Sequence, residues 1–170
     1  MERKAVRSQL LAAVDEFVRS ASKLCGVTRI ALVGSLATSK ANPKDADLLV
    51  NVADEMDLST LAKLGRRLKG TAQQINRGAD IFLANSKGEY IGRTCHWKEC
   101  RPGIRLSCRA RHCGLRHYLY DDLDVVCLRS ELITEPPLEL WPEVIERAAL
   151  PPDVRKFLLS PLHPASNAPE

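Results

Sequence analysis

Apolar positions in the first part of the chain follow two periods, one typical of helices and one typical of buried strands. Between residues 6 and 24, apolar residues recur at steps of three and four, which predicts an amphipathic helix that ends at Gly26. A continuous apolar run at residues 30–33 follows and indicates a strand buried on both faces. Because Gly34 and Ser35 interrupt this run, the pattern predicts a helix, a strand and a tight turn in that order.

The next elements are predicted to be a strand and a helix. Residues 45–52 begin with two acids separated by one residue and continue with apolar residues, which indicates a second strand. Asp57 is a suitable N-cap for a helix over the residues that follow it. The expected buried stripe of this helix comprises Leu58, Leu61, Leu64, Leu68, Ala72 and Ile75. The basic residues on its opposite face are interpreted as an ordinary solvated surface: Lys63, Arg66, Arg67 and Lys69.

The second half of the chain carries weaker structural signals. Residues 79–84 predict a third strand, and a turn at residues 85–88 leads into a fourth strand near residues 90–91. Residues 93–117 show no clear period, and a fifth strand is expected at residues 123–128. A late helix starting near Pro142 is expected to bury Trp141, Val144, Ile145 and Ala148. The proline-rich, polar residues 161–170 predict a disordered tail.

The length and composition of the chain limit its domain count and class. A chain of 170 residues, 45% of them apolar, can bury one ordinary core, so we expect a single domain over residues 1–160. No window approaches the roughly 20 apolar residues of a membrane span, and the start of the chain lacks the apolar block of a signal peptide. We therefore expect a cytoplasmic protein with no membrane partner. A net charge of +4 permits an anionic partner without requiring one.

Three acids form the central chemical pattern of the sequence. Asp45 and Asp47 are two residues apart in a predicted strand, so their side chains point to the same face. Adjacent carboxylates repel each other unless a cation lies between them, and magnesium is usually held by one or two carboxylates plus substrate phosphates. Asp80, at the start of the third strand, is expected to complete the ligand set or to take a proton from an acceptor hydroxyl. Asp124 is the alternative third acid, and Asp80 is preferred because strands close in sequence are usually adjacent.

The turn after the first strand supplies groups suited to binding a triphosphate. Gly34 lets a phosphate approach the backbone closely, and the N–H groups of the turn and the Ser35 hydroxyl are donors. An acceptor oxygen can then attack the α-phosphorus in line while pyrophosphate leaves. The alternative interpretation is a common glycine–serine turn and two surface acids at a strand end. The combination of the turn with three acids favours nucleotidyl transfer.

The same residues resemble a known family. Residues 33–37 (Val-Gly-Ser-Leu-Ala), 43–50 (Pro-Lys-Asp-Ala-Asp-Leu-Leu-Val) and 79–81 (Ala-Asp-Ile) are similar to the signature of the DNA polymerase beta-type nucleotidyltransferase superfamily, and especially to its minimal nucleotidyltransferases. The resemblance covers residues 28–84, about a third of the chain. It implies an α/β (α+β) fold, with a mixed sheet flanked by helices and a cysteine-rich insertion as the additional feature of this chain.

The resemblance also implies an activity and a set of residue roles. It assigns phosphate binding to Gly34 and Ser35, metal binding to Asp45 and Asp47, and the third carboxylate to Asp80. The implied activity is transfer of an NMP from an NTP, expected to be ATP, to a hydroxyl of RNA or tRNA, a protein or a small molecule. Two magnesium ions are the implied cofactors. Because bacterial minimal nucleotidyltransferases often belong to toxin–antitoxin pairs, the resemblance further implies a toxin–antitoxin partner.

This chain departs from the family pattern at two places. Many relatives carry a second glycine a few residues after the glycine–serine pair, where this chain has Ser39 and Lys40. A serine commonly precedes the first catalytic aspartate, whereas here Lys44 does. Neither difference removes a group that the chemistry needs.

Four cysteines fall within residues 93–117, which we call the cysteine-rich segment. Cys95, Cys100, Cys108 and Cys113 follow a Cys-x4-Cys-x7-Cys-x4-Cys spacing. In a chain without a secretory signal, such clustering favours zinc, and the alternatives are free thiols or disulfides. Zinc held by four cysteines would be structural, because no open coordination position remains. The other two cysteines are interpreted as small buried apolar residues: Cys25 and Cys127.

The cysteine-rich segment is also strongly basic. Its seven lysines and arginines against Glu99 alone give a net charge of +6, more than that of the whole chain: Arg93, Lys98, Arg101, Arg105, Arg109, Arg111 and Arg116. Trp97 and Tyr118 lie nearby in sequence and are able to stack on bases, so the segment is a candidate site for an RNA acceptor. The alternative is a solvated loop whose arginines bind only the phosphates of the nucleotide.

Two functions are therefore in competition. The leading hypothesis is a magnesium-dependent nucleotidyltransferase. The rival is a noncatalytic nucleic-acid-binding adaptor on the same fold, with a zinc-braced basic segment. The presence of all three acids favours catalysis.

Overall fold

The structure, a computed structural model, describes residues 2–100, 110 and 116–164. The helices are α1 (Glu2–Ala21), α2 (Ser59–Gln73), α3 (Ser130–Thr134), α4 (Pro152–Val154) and α5 (Ser160–Leu162). The strands are β1 (Val27–Val33), β2 (Asp45–Val52), β3 (Gly78–Ala84), β4 (Tyr90–Thr94), β5 (Leu119–Tyr120), β6 (Leu138–Trp141) and β7 (Ile145–Glu146). A 3-10 turn at Ser35–Ala37 follows β1, and a π-helical turn at Arg155–Leu159 joins α4 to α5.

The strands form one seven-stranded mixed sheet in the order β5-β4-β3-β2-β1-β6-β7. β2 and β3 are parallel and are connected through α2, while the other neighbouring pairs are antiparallel. A parallel pair needs a crossover connection, which α2 supplies. The expected fold class, a mixed α+β fold built on a mixed sheet, is confirmed.

One face of the sheet packs against α1 and α2. Leu48 and Val50 of β2 are completely buried in a core cluster that also contains Leu10 and Val14 of α1 and Leu61 of α2. Burying each such side chain stabilises the fold by about 1.5–3 kcal/mol. This cluster makes up most of the core.

The opposite face of the sheet is apolar in its middle and acidic at one end of β2. Ala31, Val33 and Leu49 form a second, smaller cluster with Ile133 of α3. Side chains alternate along a strand, so Asp47 and Asp45, two and four positions before Leu49 in β2, point to this same face. They lie where the small cluster ends.

Several predicted elements are confirmed with small changes at their ends. β2 spans residues 45–52 as expected, and the predicted apolar stripe of α2 is buried except for the partly buried Ile75. Asp57 accepts a hydrogen bond from the Ser59 backbone N–H at 2.9 Å, at the start of α2. β1 begins three residues before the apolar run, because Val27 already pairs with Val52 of β2.

Two expectations for the second half of the chain are wrong. Residues 123–128 contain a turn and no strand, and the strand next to β4 is instead β5. The helix expected near Pro142 is replaced by the β6–β7 hairpin, in which Trp141 pairs with Ile30 of β1. Backbone pairing of β6 with β1 favours a strand over the helix that the apolar spacing predicts. Leu138 and Leu140, two positions apart in this strand, are both buried in the core. The residues expected on a buried helical stripe are therefore exposed: Val144, Ile145 and Ala148.

Three further features differ from expectation or fall at the end of the chain. Cys25 and Cys127 are exposed, not buried. Pro161 and Leu162 belong to α5, and the ring Nε2 of His163 lies 3.2 Å from the Leu140 carbonyl oxygen. The rest of the expected tail, residues 165–170, lies outside the described residues.

In the part of the chain that the structure describes, no helix has both the length and the apolar character needed to cross a bilayer.

Candidate active site

The parallel pairing of β2 with β3 brings the three predicted acids to one place. In the register of the two strands, Asp47 lies beside Asp80 and Asp45 lies beside Gly78. All three aspartates are partly buried and are at alternate positions, so their side chains share one face. The structure therefore places Asp45, Asp47 and Asp80 together at the end of the small apolar cluster.

Burial and neighbouring negative charge raise the pKa values of Asp47 and Asp80. Burial, and then the negative charges of Asp45 and Asp80, raise the pKa of Asp47 from 3.8 to about 7. Burial also raises the pKa of Asp80, although the positive charges of Arg93 and Lys69 act in the opposite direction. The three side chains thus form a site with excess negative charge, which a cation would relieve.

Gly34 lies directly against this acidic site. It follows Val33, which pairs with Asp47 across β1 and β2, and its φ of 74° with ψ of −164° is a conformation essentially limited to glycine. A Cβ atom on Gly34 would lie 2.7 Å from Asp47 Oδ2. The backbone of the turn can approach the carboxylate only because residue 34 has no side chain.

Ser35 begins the 3-10 turn that carries the chain away from Asp47. The Ser35 carbonyl oxygen accepts hydrogen bonds from the Thr38 backbone N–H at 3.0 Å and from the Thr38 hydroxyl at 2.7 Å. Leu36 and Ala37 are buried, whereas Gly34 is exposed and Ser35 is partly exposed. The glycine–serine turn is thus fixed by the buried Leu36 and Ala37, while Gly34 and Ser35 remain accessible to solvent.

Arg7 of α1 anchors the loop that follows this turn. Its guanidinium donates hydrogen bonds to the carbonyl oxygens of Leu36 at 3.0 Å and Lys40 at 2.8 Å, and its Nε pairs with Asp153 at 2.6 Å. Arg7 is 6% exposed. Sequence reasoning missed this residue, although an arginine three residues before Leu10 on the apolar stripe of α1 was a usable signal. This side chain therefore holds the loop at residues 36–40 in place.

Arg93 of β4 contacts both Asp80 and Asp122, and Asp122 is buried. Its Nη1 is 3.5 Å from Asp80 Oδ1 and its Nη2 is 2.7 Å from Asp122 Oδ2, while its guanidinium lies 5.2 Å from the centre of the Tyr120 ring. Asp122 is 7% exposed and was not identified from the sequence. Asp124, the alternative third acid, lies in an exposed turn, whereas Asp80 is paired with Asp47 in the sheet.

Two basic residues of α2 lie close to β3 and to the end of β4, on the sheet face that packs against α2. Arg66 and Lys69 are partly buried and line a small cavity together with Asp80 and His96. The interpretation of the basic face of α2 as an ordinary solvated surface is therefore wrong for these two residues. It holds for Lys63 and Arg67, which are exposed.

The zinc prediction falls partly outside the described residues. Cys95 and Cys100 are buried, at 2% and 6% exposure, whereas Cys108 and Cys113 belong to the part of the chain that the structure does not describe. Among residues 2–100, 110 and 116–164, no three His, Cys, Asp or Glu side chains form a ready-made metal-ligand group. Zinc at the four cysteines stays a prediction.

Comparisons with known proteins identify a family for the chain. No curated protein and no solved structure matches it. A family model does match residues 2–101, which include α1, the glycine–serine turn and all three acids. With more than half of its length matched, the chain belongs to DUF6932, a family of unknown function.

Proposed function

We propose that this protein is a magnesium-dependent nucleotidyltransferase of the DNA polymerase beta type, which transfers an NMP from an NTP to an acceptor hydroxyl. The observation that supports this most is that Asp47 lies between Asp80 of β3 and the backbone of Gly34, which directly follows β1. A carboxylate pair next to an open glycine–serine turn is the arrangement that a metal-bound triphosphate needs.

The donor set suits magnesium. Asp45, Asp47 and Asp80 supply only oxygen ligands, and burial followed by the negative charges of Asp45 and Asp80 raises the pKa of Asp47. Asp45 and Asp47 would hold the ions together with the substrate phosphates, and Asp80 would either complete the set or take the proton of the acceptor hydroxyl. Bound magnesium would neutralise the charge that develops on the phosphates during transfer.

Other residues of this chain would bind the triphosphate and handle the acceptor proton. The Gly34–Ser35 turn would hold the triphosphate through its backbone N–H groups, with Arg7 keeping the following loop in place. The acceptor oxygen would form a bond to the α-phosphorus as the bond to pyrophosphate breaks, and Asp80, in the second of its two alternative roles, would receive the hydroxyl proton. Arg93 orients Asp80 from its other side.

Further parts of the proposal depend on the sequence resemblance. These are ATP as the donor, a cytoplasmic location and a partner within a toxin–antitoxin pair. The rival function, a noncatalytic nucleic-acid-binding adaptor, is favoured by the +6 charge of residues 93–117. The nucleotidyltransferase would need the three aspartates for activity, whereas the adaptor would bind nucleic acid without them.

A transfer assay separates the two functions. The protein would be incubated with magnesium and each α-labelled NTP, with purified RNA or with a protein extract, and label in each fraction measured. We expect transfer by the native chain and its loss in Asp45→Asn and Asp47→Asn. Asp54→Asn is the matched control, because Asp54 is exposed and its carboxylate accepts hydrogen bonds from the backbone N–H and hydroxyl of Ser86. Absence of transfer to any acceptor, with RNA binding unchanged in the aspartate variants, would favour the adaptor.

A further inference from the structure

A cavity of about 590 Å³ lies between the first turns of α1 and residues 151–157. Four apolar residues line it: Ala5, Pro151, Pro152 and Phe157. Sites for small organic molecules in proteins have volumes of roughly 300–1,000 Å³ and are lined mainly by apolar side chains with a few polar groups. None of the three aspartates of the candidate active site lines this cavity, so its ligand would be distinct from the nucleotide.

The charged groups at this cavity leave one cation without a counter-charge. Arg7 and Asp153 both line the cavity and neutralise each other, with Arg7 Nε 2.6 Å from Asp153 Oδ2 and Arg7 Nη2 3.1 Å from Asp153 Oδ1. Lys156 also lines the cavity and is exposed, and its Nζ lies 5.1 Å from the centre of the Phe157 ring. Within the described residues, no carboxylate forms an ion pair with Lys156. The cavity therefore combines an apolar wall with a net positive charge.

The cavity also contacts the loop that follows the glycine–serine turn. Ser39 of that loop lines the cavity, and Arg7 donates hydrogen bonds to the carbonyl oxygens of Leu36 and Lys40 on either side of it. The Asp153 side chain is 28% exposed, whereas that of Arg7 is only 7% exposed. A ligand that covers Asp153 would remove water from this ion pair, and the attraction between charges is stronger in a less polar environment. A bound ligand is therefore expected to strengthen the contact by which Arg7 holds the loop.

We propose that this cavity binds a small organic anion with an apolar body, and that the bound ligand stabilises the loop at residues 36–40 through Arg7. The apolar body packs against Phe157 and the two prolines, and the anionic group faces Lys156. The Ser39 hydroxyl, which also lines the cavity, supplies a hydrogen-bond donor. This inference goes beyond the proposed function and does not depend on it, because it requires neither magnesium nor a nucleotide.

Two fluorescent probes with the same aromatic rings test the proposal. Anilinonaphthalene sulfonate carries one negative charge, and phenylnaphthylamine is its uncharged counterpart. Binding of each probe would be measured by fluorescence titration for the native chain, Lys156→Gln and Ala5→Trp. Lys63→Gln is the matched control for Lys156→Gln, because Lys63 is also an exposed lysine but lies on α2, outside the cavity. Thermal unfolding without probe establishes that each variant is folded.

The expected result is a preference for the charged probe that depends on Lys156. We expect the native chain to bind one sulfonate probe more tightly than the uncharged probe. Lys156→Gln should weaken binding of the sulfonate roughly 3- to 5-fold, the size of a partly exposed charge contact, and leave the uncharged probe unaffected. Ala5→Trp narrows the cavity and should weaken both probes. Equal affinity of the native chain for the two probes, or equal sulfonate binding in Lys156→Gln and Lys63→Gln, would overturn the assignment of an anion site.

Amide hydrogen exchange tests the connection to the loop. At saturating sulfonate probe, we expect the amides of residues 36–40 to exchange more slowly than in the free protein, both in the native chain and in Lys63→Gln. Unchanged exchange at saturation would overturn the proposed effect on the loop. Asp47→Asn should bind the probe as the native chain does, because Asp47 does not line the cavity. Failure of nucleotidyl transfer and failure of probe binding are therefore separate results.

Discussion

Gly34 and Asp47 approach each other so closely that no side chain fits between them. The missing Cβ atom of Gly34 would lie 2.7 Å from Asp47 Oδ2. The turn that would hold a triphosphate and the carboxylate that would hold its metal therefore touch across neighbouring strands. A change at one of the two residues is expected to affect the other.

Gly34→Ala tests this contact. We expect it to destabilise the protein through backbone strain, about 1 kcal/mol or more, and to displace the Asp47 carboxylate so that transfer activity falls at least 10-fold. Gly88→Ala is the matched control, since Gly88 also has a positive φ of 79° but no atom within 4 Å of its missing Cβ. Chemical denaturation and the transfer assay measure both effects. Equal activity in the two variants would contradict the proposed contact.

The identity of the third acid is tested by Asp80→Asn against Asp124→Asn. We expect Asp80→Asn to lower transfer by about 100-fold or more, because a positioned general base contributes roughly that factor. Asp124→Asn should retain activity, since Asp124 lies in an exposed turn. Initial rates at saturating NTP provide the measurement. The reverse ranking of the two variants would assign the third carboxylate to Asp124.

Arg7→Met is expected to destabilise the protein by about 2 kcal/mol, because it leaves Asp153 and two carbonyl groups without their buried donor. The loop after Gly34 should also loosen, which raises the KM for NTP. Arg19→Met on the same helix is the control, because the pair of Arg19 with Asp15 is more exposed and should contribute less than about 1 kcal/mol. Similar losses of stability in the two variants would show that Arg7 has no special anchoring role.

The raised pKa of Asp47 predicts how the stability of the metal-free protein changes with pH. A folded-state pKa of about 7 against 3.8 means that the ionised carboxylate costs stability, a cost that is absent at low pH and grows as pH rises towards 7. Asp47→Asn should therefore be more stable than the native chain near neutral pH, by on the order of 1 kcal/mol after allowance for partial solvation. The difference should shrink as the pH falls towards 4 and stay level above 7.

Asp54→Asn is expected to change the stability of the protein in the opposite direction to Asp47→Asn over the same pH range. Hydrogen bonds from the side chain and backbone of Ser86 lower the pKa of Asp54, so its ionised form stabilises the fold above the usual aspartate range and loses that effect in acid. Asp54→Asn should therefore not be more stable than the native chain at neutral pH. Urea unfolding of both variants across the pH range is the measurement, and a pH-independent difference for Asp47→Asn would contradict the electrostatic explanation.

Much of the candidate site could be predicted because its signals are local. The alternation of acids in Asp45–Val52 sets which side chains share a face, and the Gly34–Ser35 turn follows an apolar run that can only be a buried strand or helix. Residues 141–148 do not form the expected helix, because helical spacing and strand pairing compete there. The pairing with β1 decides between them, and that contact joins residues more than 100 positions apart.

The sequence by itself determined the chemistry available to this protein: three aspartates, a glycine–serine turn and a basic segment rich in cysteine. Their local spacing is enough to predict strand and turn, because side-chain periodicity is a property of neighbouring residues. Only the tertiary structure decided which charges meet. Parallel pairing of β3 with β2 puts Asp80 beside Asp47, and antiparallel pairing of β4 with β3 brings Arg93 to Asp80. Such contacts depend on strand order and helix packing, which local patterns do not specify.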